Sequence, residues 1–200
     1  KDIDYSSYLY TLEYLAKIYS DLKEYDKAIA NAEECLMLMK ERKDIAIIDR
    51  LPTLDSLIVY NWNIPDIEKS NLYAKEAYLI RKSFNISGDD LVRNLYYLLH
   101  SNYYLGKYEE CEVNVNETRA IFGDGYNTGY KHYYNDMEVL MHSFFKRQLY
   151  KEALDTSNEI VATYMKQYGE ENEYLASIID YQALIYSYLG GTEKYHDFSL

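Results

Sequence analysis

Apolar residues along this chain recur every three or four positions, and short polar turns break the pattern at near-regular intervals. Leu12, Leu15, Ala16 and Tyr19 share one helical face. The turn Leu22-Lys23-Glu24-Tyr25-Asp26-Lys27-Ala28 follows, and a second face then carries Ala28, Ala32, Cys35 and Leu36. The same alternation returns with Leu54, Leu57 and Ile58 before Ala74, Ala77 and Tyr78. It returns again with Leu95, Leu98, Leu99 and Tyr103 before Cys111, Val115 and Thr118. Met137, Leu140, Met141 and Phe144 precede Ala153, Ile160 and Val161, and Ile179, Ala183 and Tyr186 open a fifth unit. Each unit therefore predicts two amphipathic helices joined by a tight turn, and nothing predicts a strand.

The turns keep register. Leu105-Gly106-Lys107-Tyr108 and Arg147-Gln148-Leu149-Tyr150 repeat the first turn, each with a small residue three places after its tyrosine. Asn63-Ile64-Pro65-Asp66-Ile67 and Tyr188-Leu189-Gly190-Gly191-Thr192 fall where further turns are due. The anchors Tyr25, Ile67, Tyr108, Tyr150 and Thr192 lie 42, 41, 42 and 42 residues apart. A fixed period of this size marks a stacked repeat architecture. The expected units are 5–43, 46–84, 89–122, 128–168 and 171–200, forming one all-α solenoid of about four and a half helix pairs. Gly88, Gly123 and Gly169 sit where second helices should end, and Pro52 and Pro65 sit near helix starts.

Leu15-Ala16-Lys17-Ile18-Tyr19 with Tyr25-Asp26-Lys27-Ala28, and the first-helix run Tyr181 to Gly190, resemble the tetratricopeptide repeat (TPR). The longer period, and the loops Phe122-Gly123-Asp124-Gly125-Tyr126 and Tyr168-Gly169-Glu170-Glu171-Asn172, resemble the subclass found in kinesin light chains. The same features resemble bacterial proteins that pair such repeats with caspase-like (CHAT) domains. The resemblance implies an α-solenoid whose first helices line a groove, and a role in binding. The second unit departs from the pattern with Ile67 and Ser70 at the Tyr and Ala places, and the third with Cys111 for Ala.

Residues off the packing face of each first helix are the candidate partner-binding set. They are Tyr10, Glu13, Lys17 and Ser20 in the first unit, and Asp55, Val59, Trp62 and Asn63 in the second. The third gives Arg93, Tyr96, His100, Tyr103 and Tyr104. The fourth gives Asn135, Glu138, His142, Phe145 and Lys146, and the fifth Asp180, Leu184, Ser187 and Tyr188. Aromatic anchors among hydrogen-bonding groups suit an extended peptide or a partner helix. The groove cations Lys17, Arg93 and Lys146 lie on different units, so a carboxylate clamp on a peptide terminus is not expected.

Composition narrows the partner. With 21 basic and 33 acidic residues the formal charge is −12, which repels nucleic acid and anionic membrane and favours a basic or neutral partner. The 26 tyrosines supply side chains that are apolar in body and polar at the tip, suited to helix seams and wet grooves alike. Cys35 and Cys111 are too few for a disulfide framework and fall at small packing positions. His100 and His142 occupy matched places, but no third ligand accompanies them, so no metal and no cofactor is expected. Gly123-Asp124-Gly125-Tyr126-Asn127-Thr128-Gly129 lacks the lysine of a phosphate loop and reads as a connector. Asn85-Ile86-Ser87 and Asn116-Glu117-Thr118 are glycosylation sequons without a secretory signal beside them.

The expectation is a fragment of a longer, cytoplasmic, non-enzymatic protein. Its array would bind a protein or peptide, which could be another domain of the same chain. The alternative is a ligand- or peptide-responsive regulatory array controlling an attached peptidase, kinase or DNA-binding domain.

Overall fold

The computed structural model describes residues 5–169 and 173–190. Every regular element among them is helical. The sequence turn at Thr192 and the closing Ser199-Leu200 lie outside the described residues, as do Glu170, Glu171 and Asn172. The chain divides into two compact units, residues 1–105 and 106–200.

The first unit holds α1 (Tyr5–Asp21), α2 (Tyr25–Glu41), α3 (Leu51–Asn63), α4 (Ile67–Ser83) and α5 (Asp89–Tyr104), with a 3-10 turn at Ile47–Arg50 ahead of α3. Successive helices pack on each other, α1 on α2, α2 on α3, α3 on α4 and α4 on α5. Small residues let the axes approach closely. Ala16, Ala28, Ala32, Ala74 and Ala77 are all buried, with Leu54, Leu57, Ile58 and Leu98 filling the space between them. A second cluster of Leu9, Leu12, Cys35 and Met39 closes the α1–α2 end. Ser70, which stands where alanine is usual in the repeat, occupies the same kind of buried site. Its hydroxyl donates to the Ile58 carbonyl at 3.0 Å and pins α4 to α3. Between α4 and α5, Asn71 Nδ2 donates to Ser101 Oγ (2.7 Å) and to Asn102 Oδ1 (2.9 Å). Asn94 Nδ2 donates to the Ala74 carbonyl at 3.0 Å. Buried amides satisfied in this way fix one register between the two helices.

The second unit holds α6 (Tyr108–Phe122), a 3-10 turn at Gly123–Gly125, the single-turn α7 (Tyr126–Gly129), α8 (Tyr133–Lys146), α9 (Tyr150–Tyr168) and α10 (Glu173–Tyr188). α6 packs on α8, α8 on α9 and α9 on α10. Met137, Leu140, Met141 and Phe144 are buried as the periodicity requires. The glycine-rich connector winds into the 3-10 turn and α7. There Tyr126 stacks on Tyr130 (centroids 5.6 Å apart) and meets Tyr133 edge-on (5.2 Å). The Tyr130 hydroxyl donates to buried Asp136 at 2.8 Å.

The turns between paired helices share one backbone device. Lys23, Pro65, Gly106, Gln148 and Gly190 occupy the same repeat position and all have positive φ, at 61°, 27°, 71°, 62° and 80°. The residue after each of Lys23, Pro65 and Gln148 donates its N–H five residues back, as Glu24 to Tyr19 (2.8 Å), Asp66 to Asn61 (2.9 Å) and Leu149 to Phe144 (2.9 Å). These bonds close the end of each first helix in the Schellman manner.

Two sequence expectations change. Gly88 does not end α4. It is the residue before α5, with φ 89°, while Asn85 (φ 52°) turns the chain after α4. α10 buries Leu175, Ile178, Gln182 and Ile185, whereas Ile179, Ala183 and Tyr186 are only half-buried. The helix carries apolar residues around most of its circumference, so periodicity alone does not select the face that meets α9.

Candidate protein-interaction surface

In the first unit the outward residues of α3 and α5 converge. Trp62, the sole tryptophan of the sequence, meets Tyr97 edge-on at 5.6 Å, His100 at 6.4 Å and Tyr104 at 6.1 Å. Tyr96 lies over His100 at 4.3 Å and against Tyr97 at 5.6 Å, and Tyr103 meets Tyr104 at 5.9 Å. Tyr104 is 65% exposed, so the cluster reaches the surface as a packed aromatic face. Such mutually supported rings lose little conformational freedom when a partner covers them.

Other members of the candidate set have commitments of their own. Asp55 Oδ2 accepts from the buried Arg81 guanidinium at 2.6 Å and from Arg93 at 3.3 Å, and Arg93 also reaches Asp90 at 2.9 Å. Asn63 Nδ2 donates to the Val59 carbonyl on its own helix at 2.8 Å. Tyr10 is exposed and stacks on Tyr14 at 6.2 Å, away from the Trp62 cluster. Glu13 Oε1 accepts from the Thr53 hydroxyl at 2.7 Å, and Lys17 is exposed. Glu13 and Lys17 also line a cavity of about 200 Å³ with Ala16, Ala32, Pro52, Thr53, Ser56 and Tyr60.

The second unit repeats the theme on α8 and α10. Phe145 contacts Tyr150 (5.4 Å), Tyr181 (5.3 Å) and Tyr188 (5.1 Å), and Tyr150 stacks on Tyr188 at 5.1 Å. His142 lies 4.5 Å from Tyr181. Burial holds the His142 imidazole below its ordinary pKa, with the Lys146 charge adding to the effect. Burial raises Glu138, and a hydrogen bond with Tyr174 opposes the rise. Asn135 and Asp180 are exposed and belong to no ring cluster.

Tyr97, Tyr181 and Tyr150 are absent from the sequence-derived set, yet each helps hold a cluster together. Tyr97 and Tyr181 lie 84 residues apart, two repeat periods, so register alone could have flagged them. The sequence marks Tyr150 only as a turn anchor. Its ring fills both roles because the turn delivers the first residue of α9 beside the end of α10. Among the described residues, no group of three His, Cys, Asp or Glu side chains is placed to hold a metal ion. Cys35 and Cys111 are buried thiols, each with its pKa pushed up to about 11, chiefly by desolvation.

Comparison with solved structures places this arrangement. One match is a Podosopora anserina protein described as a kinesin light chain with nearly identical TPR-like repeats. It superposes with a TM-score of 0.69 at 13% identity, covering 94% of this chain and 90% of the other. The fold is a TPR-like helical repeat. A variant of that protein matches this TPR-like chain with a TM-score of 0.70 at 14% identity, covering 98% and 92%. BtubC (BKLC) from P. vanneervenii matches with a TM-score of 0.68 at 15% identity, covering 93% and 74%. No protein-family model and no curated protein sequence matches the chain. Among the described residues, no helix is long and apolar enough to cross a membrane.

Proposed function

We propose that this TPR-like chain is a protein-interaction scaffold that holds a peptide, a helix or a neighbouring domain against the outward faces of its first helices. The observation that carries the reading is the surface aromatic cluster of Trp62, Tyr96, Tyr97, His100 and Tyr104. The Phe145, Tyr150, Tyr181 and Tyr188 cluster of the second unit is its counterpart. Aromatic side chains supply large contact area, and interface hot spots are enriched in Trp and Tyr. Asn135 and Asp180, exposed on α8 and α10, and Arg93 on α5 supply polar contacts that set register. The formal charge of −12 favours a partner that is basic or neutral. No residue is assigned a catalytic role.

The test uses Trp62 as its own reporter. Peptides selected from a random display library on the intact chain should shift the tryptophan emission on binding. Read by isothermal titration calorimetry, which needs no tryptophan, Trp62→Ala combined with Tyr104→Ala should weaken those peptides at least tenfold, while Leu79→Ala, an exposed change on a second helix, should leave them unaffected. Equal affinity across the wild type and both variants would remove the first-helix face from the proposal.

A further inference from the structure

We propose that the cavity between α1 and α3 is a binding site for a free aliphatic α-amino acid of about leucine size. The site is independent of the aromatic faces and of any protein partner. Its volume, about 200 Å³, is below the roughly 300–1,000 Å³ of pockets that take drug-sized ligands. The floor is apolar and set by small residues, Ala16 from α1 and Ala32 from α2, both almost completely buried. Pro52 and Tyr60 of α3 form the far wall. The part of the cleft formed by these residues suits a branched alkyl chain and not a charged one.

The mouth carries two opposite charges. Glu13 and Lys17 stand one helical turn apart on α1, on the same face as Ala16, and both line the cavity. Opposite charges at this spacing commonly pair across the turn, yet among the described residues Lys17 forms no ion pair. The Thr53 hydroxyl instead donates to Glu13 Oε1 at 2.7 Å, from a side chain that is itself buried. Glu13 is thereby tethered toward α3, and its second oxygen remains available. A carboxylate and an ammonium one helical turn apart, both lining an otherwise largely apolar cleft, complement the two charges and the side chain of an amino acid. The ligand ammonium meets Glu13, its carboxylate meets Lys17, and the alkyl chain enters between Ala16 and Ala32. Ser56 also lines the cavity, with its hydroxyl donating to the Pro52 carbonyl at 3.0 Å.

The experiment is a titration of the ¹⁵N-labelled full chain with defined probes, read by amide chemical shifts. L-Leucine should shift Ala16, Lys17 and Ser56 saturably, with Kd on the order of 1 mM or tighter. Glycine, which lacks the alkyl chain, should bind at least tenfold more weakly. N-acetyl-L-leucine, without the ammonium, and L-leucinamide, without the carboxylate, should each lose about tenfold. Lys17→Ala and Glu13→Gln should each weaken L-leucine about tenfold, and Ser56→Phe should abolish the shifts by filling the mouth, with circular dichroism confirming unchanged helix content. Absence of saturable shifts up to about 20 mM L-leucine overturns the proposal, as does equal binding to the Ser56→Phe variant. L-leucinamide binding as tightly as L-leucine overturns the free amino acid in favour of a peptide N-terminus.

Discussion

Removing the Asp55 carboxylate should unfold the first unit far more readily than removing the arginine it serves. Arg81 is 1% exposed, and its guanidinium donates to Asp55 Oδ2 at 2.6 Å. A second donor reaches Asn94 Oδ1 at 3.4 Å, a weak bond, and Nε has no partner among the described residues. Asp55 is therefore the main counter-charge for a cation that water does not reach. Arg93 also touches Asp55, but half of its side chain is exposed, so it contributes little. Breaking a buried pair by deleting one partner costs about 3–5 kcal/mol, because the other charge is left uncompensated. The Asp55 side chain is 22% exposed, so water would enter on truncation and relieve part of the cost, which favours about 3 kcal/mol. Arg81→Met removes the buried charge together with its demand and should cost less than about 1 kcal/mol. The assay is urea unfolding followed by helix ellipticity and by Trp62 emission, since Trp62 lies on α3 with Asp55. With a urea slope of about 1–3 kcal/mol/M, a loss of about 3 kcal/mol in Asp55→Ala should lower the midpoint by about 1–3 M. The double variant Asp55→Ala/Arg81→Met should recover most of that loss. Asp55→Ala costing under about 1 kcal/mol, or Arg81→Met costing as much as Asp55→Ala, would refute the reasoning.

Three further outcomes follow from the same structure. Gln148→Gly and Lys23→Gly should each stabilise by about 0.5–1 kcal/mol, because positive φ costs an L residue about 1–2 kcal/mol and glycine returns part of that as chain entropy. Pro65→Gly should gain more, since the ring favours φ near about −65°; Gly106→Ala should lose about 1 kcal/mol although its Cβ would meet nothing within 4 Å. Thermal midpoints measured by circular dichroism check all four. Cys35 and Cys111, both held up to about 11, should resist a thiol reagent at neutral pH in the native protein and react promptly in urea. Fast native labelling of either thiol would contradict their burial. The His142 imidazole, depressed in the folded state, contributes stability that is full above its ordinary pKa and is lost as pH falls through that value toward the folded one. Glu138, raised in the folded state, has the opposite slope: stability falls as pH rises from its ordinary value through the folded one and stays lower above it. His142→Phe should flatten the first dependence and Glu138→Gln the second, in stability curves taken from pH 4 to 8.

The sequence by itself determined the repeat. Its period follows from turns that need one residue at positive φ and a short side chain three places after the anchor. Helix faces were equally legible wherever apolar residues form a single stripe, as in α8, where Met137, Leu140, Met141 and Phe144 are all buried. Legibility failed where several faces are apolar: α10 packs through Leu175, Ile178, Gln182 and Ile185, a choice made by the surface of α9. Gly88 could serve a helix end or a helix start from sequence alone, and the length of the preceding turn assigned it to α5.

Only the tertiary structure decided what the outward polar residues do. Asp55 looks like any acid on an exposed stripe until Arg81, 26 residues away, is brought beneath it. An arginine is ordinarily read as exposed, because burying its charge is costly unless a partner stands ready. The aromatic faces are of the same kind. Their residues are visible in the sequence, but whether Tyr97 meets Trp62, or Tyr150 meets Tyr188, depends on how neighbouring helices are set side by side. Local periodicity fixes which residues share a helix face; contacts between helices depend on packing, and packing is settled by all the side chains together.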